Sequence, residues 1–226
     1  MEPQIISIAG EPKSGKTHFA CTAPSPIRFF DFDLGSLHVV TKKFTDTDIV
    51  SSQHYIDVWG QNKVTPIFEA FDKAYKEALK DDSFKTVVID TGTQLWQMVR
   101  IALFEHIKKT DPNRQRLIQI EYGTANAQME AFLRAPKASG KNLIITHYTK
   151  DAYDDTGNKT GFVEPDQYKN TNGIADILIS LETVFRKKAL GVDTLATIQA
   201  SRENRDIVGA KLTNPTWEDI IMVAVP

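Results

Sequence analysis

The sequence predicts an α/β fold, in which helices cover a mostly parallel β-sheet and antiparallel strands are added near the C-terminus. The first observation is that short apolar runs alternate with segments of helical period along most of the chain. The second is that two late runs of strand character are joined by only a few residues. No repeat or low-complexity linker divides the 226 residues, so we expect one domain over residues 1–226.

The predicted strands are short, and most are rich in β-branched or aromatic residues, which suits buried positions in a sheet. In chain order they are Ile5–Ala9, Ile27–Asp33, Thr86–Asp90, Asn142–His147, Ile177–Phe185 and Thr194–Ala200, and a last apolar run is Ile220–Val225.

Apolar residues spaced three and four apart predict helices between these strands. One helix is expected to begin at Thr65, as N-cap, because Pro66 suits the first helical position. A second begins near Gln94, and a third continues to Leu133. The segment between the second strand and about Gln61 is less regular.

Composition limits the classes of function. The net charge is −2, from 27 basic and 29 acidic residues, which is not the basic balance of a typical nucleic-acid-binding domain. The single cysteine, Cys21, excludes an internal disulfide and fits a reducing compartment. The N-terminus lacks a signal-peptide pattern, and no apolar run approaches the roughly 20 residues of a membrane span. We therefore expect a cytoplasmic protein that does not bind membranes.

The strongest motif follows the first predicted strand and matches the phosphate-binding P-loop pattern. Its residues are Gly10, Glu11, Pro12, Lys13, Ser14, Gly15, Lys16 and Thr17, with His18 continuing into a predicted helix. Strand, loop and helix in this order are the context that the motif requires. Backbone N–H groups of such a loop converge on phosphate oxygens. These residues predict a nucleoside triphosphate site, with ATP as the expected ligand.

Three residues are expected to act on the phosphates and their metal. Lys16 would contact the β- and γ-phosphates and would be unpaired in the empty loop, and the Thr17 hydroxyl would hold Mg²⁺. Asp90 ends an apolar strand as a Walker B aspartate does, and it would hold Mg²⁺ opposite Thr17. The alternative is that Asp90 only caps the turn at Gly92.

Polar residues at two other strand ends are candidates for catalysis. Asp31 and Asp33 alternate, so they are predicted to share a face, and Asp33 is the preferred general base for the attacking water. Turn chemistry before Gly35 is the alternative. His147, after Thr146, is a candidate donor to the γ-phosphate, unless it is a structural histidine.

These features together resemble the RecA-like ATPases, especially the compact RecA-like ATP-binding proteins of bacteriophages. The resemblance runs from Ile5 to about Val225. It implies Mg²⁺-dependent ATP hydrolysis with the acidic base at Asp33. It also places His147 where the family usually has a glutamine that senses the γ-phosphate. The chain begins at the first strand, without the polymerisation segment of recombinases, so filaments are not expected.

The resemblance also implies a DNA-binding loop in the polar segment Lys150–Asn172, around a predicted hairpin turn at Asp154–Asn158. Its candidate DNA contacts are Lys150, Tyr153, Lys159 and Phe162. A solvent-exposed hairpin is the alternative. Arg202 or Arg205 is a candidate finger for the triphosphate of a neighbouring subunit, unless it pairs with Glu203 or Asp206.

The function expected from these features is an ATPase of phage DNA recombination or replication that couples ATP to single-stranded DNA binding. Its expected partners are single-stranded DNA, single-strand-binding or other recombination proteins, and further copies of itself. One alternative is a nucleotide kinase, with Lys108–Arg116 as its lid. The other is a nucleotide-gated interaction protein with little turnover.

Overall fold

The sheet forms the centre of the molecule. The computed structural model describes residues 2–35, 49–55, 63–186 and 190–225. The strands are β1 (Ile5–Gly10), β2 (Ile27–Asp31), β3 (Ile49–Gln53), β4 (Thr86–Asp90), β5 (Asn142–Tyr153), β6 (Lys159–Asp166), β7 (Ile177–Phe185), β8 (Val192–Ser201) and β9 (Lys211–Thr213).

Strand order confirms the predicted fold class. The order is β3-β2-β4-β5-β1-β7-β8-β9, and the first six of these strands are parallel. β8 and β9 continue the sheet in antiparallel fashion, and β6 pairs with the outer part of β5 as a hairpin. Parallel strands that are connected by helices place their carboxyl ends at one edge, where ligands of such folds bind.

Helices cover both faces of the sheet. They are α1 (Lys16–Ala20), α2 (Val64–Lys80), α3 (Gly92–Thr110), α4 (Glu121–Ala138), α5 (Thr171–Ile174) and α6 (Trp217–Ala224). One core contains Phe71 of α2, Met98 of α3 and Leu133 of α4. The other contains Phe19 of α1 and Trp217 of α6. β1 and β4 are buried at every position because both faces are covered, which explains their continuous apolar character.

Several helix and strand boundaries differ from the prediction because distant segments of the chain contact them. α2 begins at Val64, so the prediction of Thr65 as its N-cap is wrong. The carboxylate of Glu105 in α3 accepts the backbone N–H groups of Val64 and Thr65 at 2.9 and 2.8 Å. A side chain about 40 positions away therefore caps this helix.

Two strand ends also differ from the prediction. β2 ends at Asp31 instead of Asp33, and the chain then turns, with Leu34 at φ 62°. β5 continues past His147 to Tyr153 because β6 pairs with it. The predicted turn closes this hairpin, where Asp154 N–H donates to the Asn158 carbonyl at 2.9 Å.

The irregular segment before about Gln61 lies largely outside the described residues, but it contains the edge strand β3, which the sequence analysis missed. Along the described parts of the chain, no helix combines the length and apolarity needed to cross a membrane.

Candidate functional site: a cleft at the P-loop

The P-loop leaves β1 at the carboxyl edge of the sheet and continues into α1. Its backbone requires glycine at two positions. Gly15 has φ 97°, and a Cβ there would lie 2.7 Å from Thr194 Oγ1 on β8. A Cβ at Gly10 would lie 2.4 Å from the Leu181 carbonyl oxygen on β7. The loop is thus seated on the neighbouring strands so closely that a side chain at either glycine would displace it.

A cleft of about 420 Å³ opens in front of this loop. The side chains that matter for its chemistry are Lys16, Thr17, Asp33, Asp90 and Tyr148. The structure also has a larger cleft of about 520 Å³, but among the predicted site residues it is lined only by Gly10 and Glu11. We therefore assign the candidate site to the smaller cleft, which is lined by Lys16, Asp33 and Asp90.

Lys16 is buried and already has partners in this arrangement. Its ammonium donates to the carbonyl oxygens of Gly10 and Glu11 at 2.7 and 2.9 Å, so the prediction of an unpaired lysine is wrong. Burial lowers the pKa of Lys16, and the nearby carboxylates of Asp90, Asp33 and Glu11 oppose that shift. The ammonium lies next to the cleft, and these three carboxylates create a negative electrostatic potential around it.

Thr17 and Asp90 form the candidate metal site. The Thr17 hydroxyl donates to Asp90 Oδ2 at 2.7 Å, and the Thr146 hydroxyl donates to the other carboxylate oxygen. Burial raises the pKa of Asp90 to about 6, while the bonds from Thr146 and Thr17 act in the opposite direction. A hydroxyl and a buried carboxylate are hard oxygen ligands, so this pair fits Mg²⁺ with water and phosphate oxygens completing its shell.

Asp33 lines the cleft, whereas Asp31 is fully buried. β2 ends between them, but Phe30 and Phe32 both pack on Phe71, and the charges of Asp31 and Asp33 both raise the pKa of Asp90. The Asp33 carboxylate accepts the Gly35 N–H on Oδ1 at 2.9 Å and the Tyr148 hydroxyl on Oδ2 at 2.5 Å. Asp31 instead accepts the Asp33 N–H at 3.2 Å and supports this turn.

His147 does not line the cleft, so the structure does not support its predicted role at the γ-phosphate. Its imidazole is fully buried towards α3, where a Cβ on Gly92 would lie 2.6 Å from His147 Cε1. Neither ring nitrogen has a hydrogen-bond partner within the described ranges. Burial, together with the charge of Lys16, lowers its pKa to about 3, so the ring is neutral at neutral pH.

This buried histidine predicts a pH dependence of stability. Because the folded pKa of about 3 lies below the unfolded value of about 6.5, the unfolded chain binds more protons between these values. The free energy of unfolding should therefore fall as the pH falls below about 6.5. Asp90, with its raised pKa, acts in the opposite direction in wild type and variant alike.

We expect His147→Gln to remove this contribution. Between pH 6.5 and 5, the wild type should lose about 2 kcal/mol more unfolding free energy than the variant. Urea titrations of both proteins at the two pH values measure the difference. An identical pH dependence in the two proteins would contradict the assignment.

Tyr148 is the functional residue that the sequence analysis missed. It follows His147 on β5 and shares a face with Thr146, because alternate residues of a strand point the same way. Its hydroxyl contacts Asp33, and its ring centroid lies 5.5 Å from the Lys16 ammonium. The signal that could have found it is this alternation, but using it required knowing that the strand continues.

The predicted arginine lies at the other end of the sheet. Ser201 pairs with Ile177 at the amino end of β7, and Arg202 follows it. Its guanidinium contacts Asp176 at 3.3 Å and donates to three carbonyls, those of Gly173, Ile174 and Ala175. It cannot reach the P-loop of its own chain, so the finger in a neighbouring subunit stays a prediction, with Arg205 as the alternative arginine.

The candidate DNA residues all lie on the β5–β6 hairpin, but its lysines are engaged. Lys159 pairs with Asp151 at 2.5 Å, and Lys150 lies 3.5 Å from Glu164 and 3.7 Å from Asp166. Residues 148–166 contain two lysines and five acidic residues. Tyr153 and Phe162 are 58% and 76% exposed. The hairpin thus presents aromatic surface with a negative balance of charge.

The fold and the cleft define the class of protein. A RecA-like α/β sheet with a P-loop, its lysine and a Thr17–Asp90 pair is the arrangement of a P-loop nucleoside triphosphatase. Residues 2–205 match the family described as AAA domain (AAA_24), and the chain belongs to this family.

Two further comparisons define how far similarity extends. No curated protein matches the chain. Among solved structures, it is similar to the KaiC-like protein from the hyperthermophilic archaeon Pyrococcus horikoshii OT3, with a TM-score of 0.51 and 15% sequence identity. That alignment covers 94% of this chain and 85% of the archaeal one. At this identity the likeness shows the fold alone.

Proposed function

We propose that this protein is a Mg²⁺-dependent ATPase whose catalytic base is Asp33. The observation that carries the proposal is the content of one cleft. Lys16, Thr17 and Asp90 line it together with Asp33, which is a carboxylate outside the metal pair. A site for phosphate binding alone would not need this second acidic group.

In the proposed binding step, the phosphates accept N–H groups of the loop backbone, and the Lys16 ammonium exchanges the Gly10 and Glu11 carbonyls for phosphate oxygens. Thr17 and ionised Asp90 would hold Mg²⁺, which when bound neutralises charge on the phosphate oxygens. The positive charges nearby favour the ionised form of Asp90 in that complex.

In the proposed hydrolytic step, Asp33 orients the attacking water and accepts its proton. Its two oxygens are already hydrogen bonded to Gly35 and Tyr148, so the carboxylate is held in one orientation. Each oxygen retains a further lone pair for the water.

Phosphate release from ATP, with and without nucleoside monophosphates, tests this proposal against the kinase alternative. We expect release without any acceptor. A strict requirement for an acceptor would support a kinase, and tight ATP binding with no release would support a nucleotide-gated interaction protein.

The structure disfavours the kinase lid in particular. α3 starts at Gly92, two residues after Asp90, and Lys108 lies in its last turn, roughly 24 Å along the helix. Arg114 there pairs with Glu121 and lies 3.8 Å from Asp111. Arg114 is therefore paired with acidic groups at the start of α4 and in its own loop.

We propose single-stranded DNA as a partner on the β5–β6 hairpin, in the setting of phage recombination or replication that the RecA-like resemblance implies. The support is that the hairpin presents Tyr153 and Phe162 and begins at Tyr148 in the cleft. Its ion pairs and negative balance predict that binding is weak.

We expect an ATP analogue to strengthen binding of a labelled oligonucleotide, and salt to weaken it with a shallow slope. Lys150→Ala with Lys159→Ala should lower the affinity and the slope while the basal ATPase rate stays unchanged. The control is Lys76→Ala on α2, a lysine that also pairs with an aspartate. Fluorescence anisotropy measures the affinity and its salt dependence for the double variant and for the control. Absence of binding at low salt, with or without the analogue, would remove the DNA role alone.

A further inference from the structure

Tyr148 is fixed in the cleft by contacts on both its backbone and its side chain. Its N–H donates to Thr93 Oγ1 at 3.1 Å, and the Thr93 hydroxyl donates to the Asp166 carbonyl of β6. The next residue, Thr149, donates its hydroxyl to Glu11 Oε1 at 2.7 Å. The backbone that carries the phenol ring is therefore held relative to α3, the hairpin and the P-loop.

The Asp33 carboxylate needs such a support. It lies beyond the end of β2, and its bond from Gly35 comes from two residues along the same turn. Among the described contacts of this carboxylate, the Tyr148 bond is the one that comes from another strand, 115 positions away in sequence. A bond within the turn moves with the turn, whereas a bond from β5 fixes the carboxylate relative to the P-loop.

The phenol is suited to this task over a wide range of pH. Burial, the bond to Asp33 and the neighbouring carboxylates raise the pKa of Tyr148 well above its usual value. It therefore remains a hydrogen-bond donor wherever the carboxylate is ionised. The Lys16 ammonium also lies 5.5 Å from the centre of its ring, within range of a cation–π contact.

We propose that Tyr148 is a positioning residue for ATP hydrolysis, which acts by holding the Asp33 carboxylate in the orientation that accepts the proton of the attacking water. The inference rests on the proposed ATPase and names a residue that the P-loop motif does not contain. The role assigned to the hydroxyl is that of a hydrogen-bond donor to Asp33.

The test is Tyr148→Phe, which keeps the ring and removes the hydroxyl. We expect kcat to fall about 10- to 100-fold, as for a misplaced catalytic group, while KM and the Kd of Mg-ATP change less than about 2-fold. The matched control is Tyr168→Phe. Tyr168 is buried and donates to Glu130 at 2.9 Å, but it does not line the cleft. The Tyr168→Phe variant also loses a hydrogen bond from a phenol to a carboxylate, and its kcat should stay at the wild-type value.

A double variant separates action through Asp33 from other effects. In the Asp33→Asn background, Tyr148→Phe should lower kcat less than about 2-fold further, because the group that it positions is gone. If the kcat losses of the two single variants multiply in the double variant, the inference is overturned. An unchanged kcat in Tyr148→Phe would also overturn it, and so would a loss of Mg-ATP affinity at constant kcat. Each of these outcomes leaves the ATPase standing. Wild-type protein that binds Mg-ATP without turnover would instead overturn the proposed function, and the inference with it.

Discussion

Lys16→Ala is expected to abolish tight Mg-ATP binding and turnover while the protein remains folded. The ammonium is the buried positive charge of the P-loop, and it donates to the Gly10 and Glu11 carbonyls, which phosphate oxygens would replace. Removing one partner of a buried charged hydrogen bond typically costs about 2–5 kcal/mol, or roughly 30- to several thousand-fold in Kd.

Calorimetric titration with Mg-ATP measures this loss, and thermal unfolding confirms that the variant is folded. Lys73→Ala, which changes an exposed lysine of α2, is the control. It should bind as the wild type does. Unchanged ATP affinity in Lys16→Ala would contradict the assignment of the loop to phosphate binding.

Asp33→Asn should keep Mg-ATP binding and lower hydrolysis by roughly 100-fold or more, the usual range for loss of a general base. The amide oxygen of Asn can accept only one of the two hydrogen bonds that Asp33 accepts from Gly35 and Tyr148, and the neutral amide cannot take the proton of the water. Because Thr17 and Asp90 are unchanged, the metal site should persist.

Binding by calorimetry and phosphate release by a coupled assay separate these two effects. Asp72→Asn on α2 is the control, since it removes a carboxylate that pairs with Lys76. Wild-type hydrolysis in Asp33→Asn would place the base elsewhere.

Features that depend on local sequence were predictable. The P-loop needs glycine because Gly15 has a positive φ and because Gly10 and Gly15 lie against neighbouring strands. The strand–loop–helix order around it can be read from the apolar pattern alone. Central parallel strands are buried on both faces, so their continuous apolar runs also identified them.

Features that depend on pairing with distant segments were not predictable. The sequence around His147 does not show that β6 pairs with the outer part of β5 and extends it to Tyr153. Without that knowledge, the predicted strand ends at His147, and Tyr148 lies beyond it. The same limit applies to Glu105, which caps α2, and to the acidic partners of Lys150 and Lys159.

We expect the P-loop cleft to hydrolyse ATP and not merely to bind it. A single-turnover reaction with ATP labelled at the γ-phosphate, with protein in excess, tests it most directly. We expect the wild type to convert bound ATP to ADP and phosphate with Mg²⁺ but not with EDTA, and Asp33→Asn to retain the ATP intact. Recovery of intact ATP from the wild type in the presence of Mg²⁺ would contradict the account.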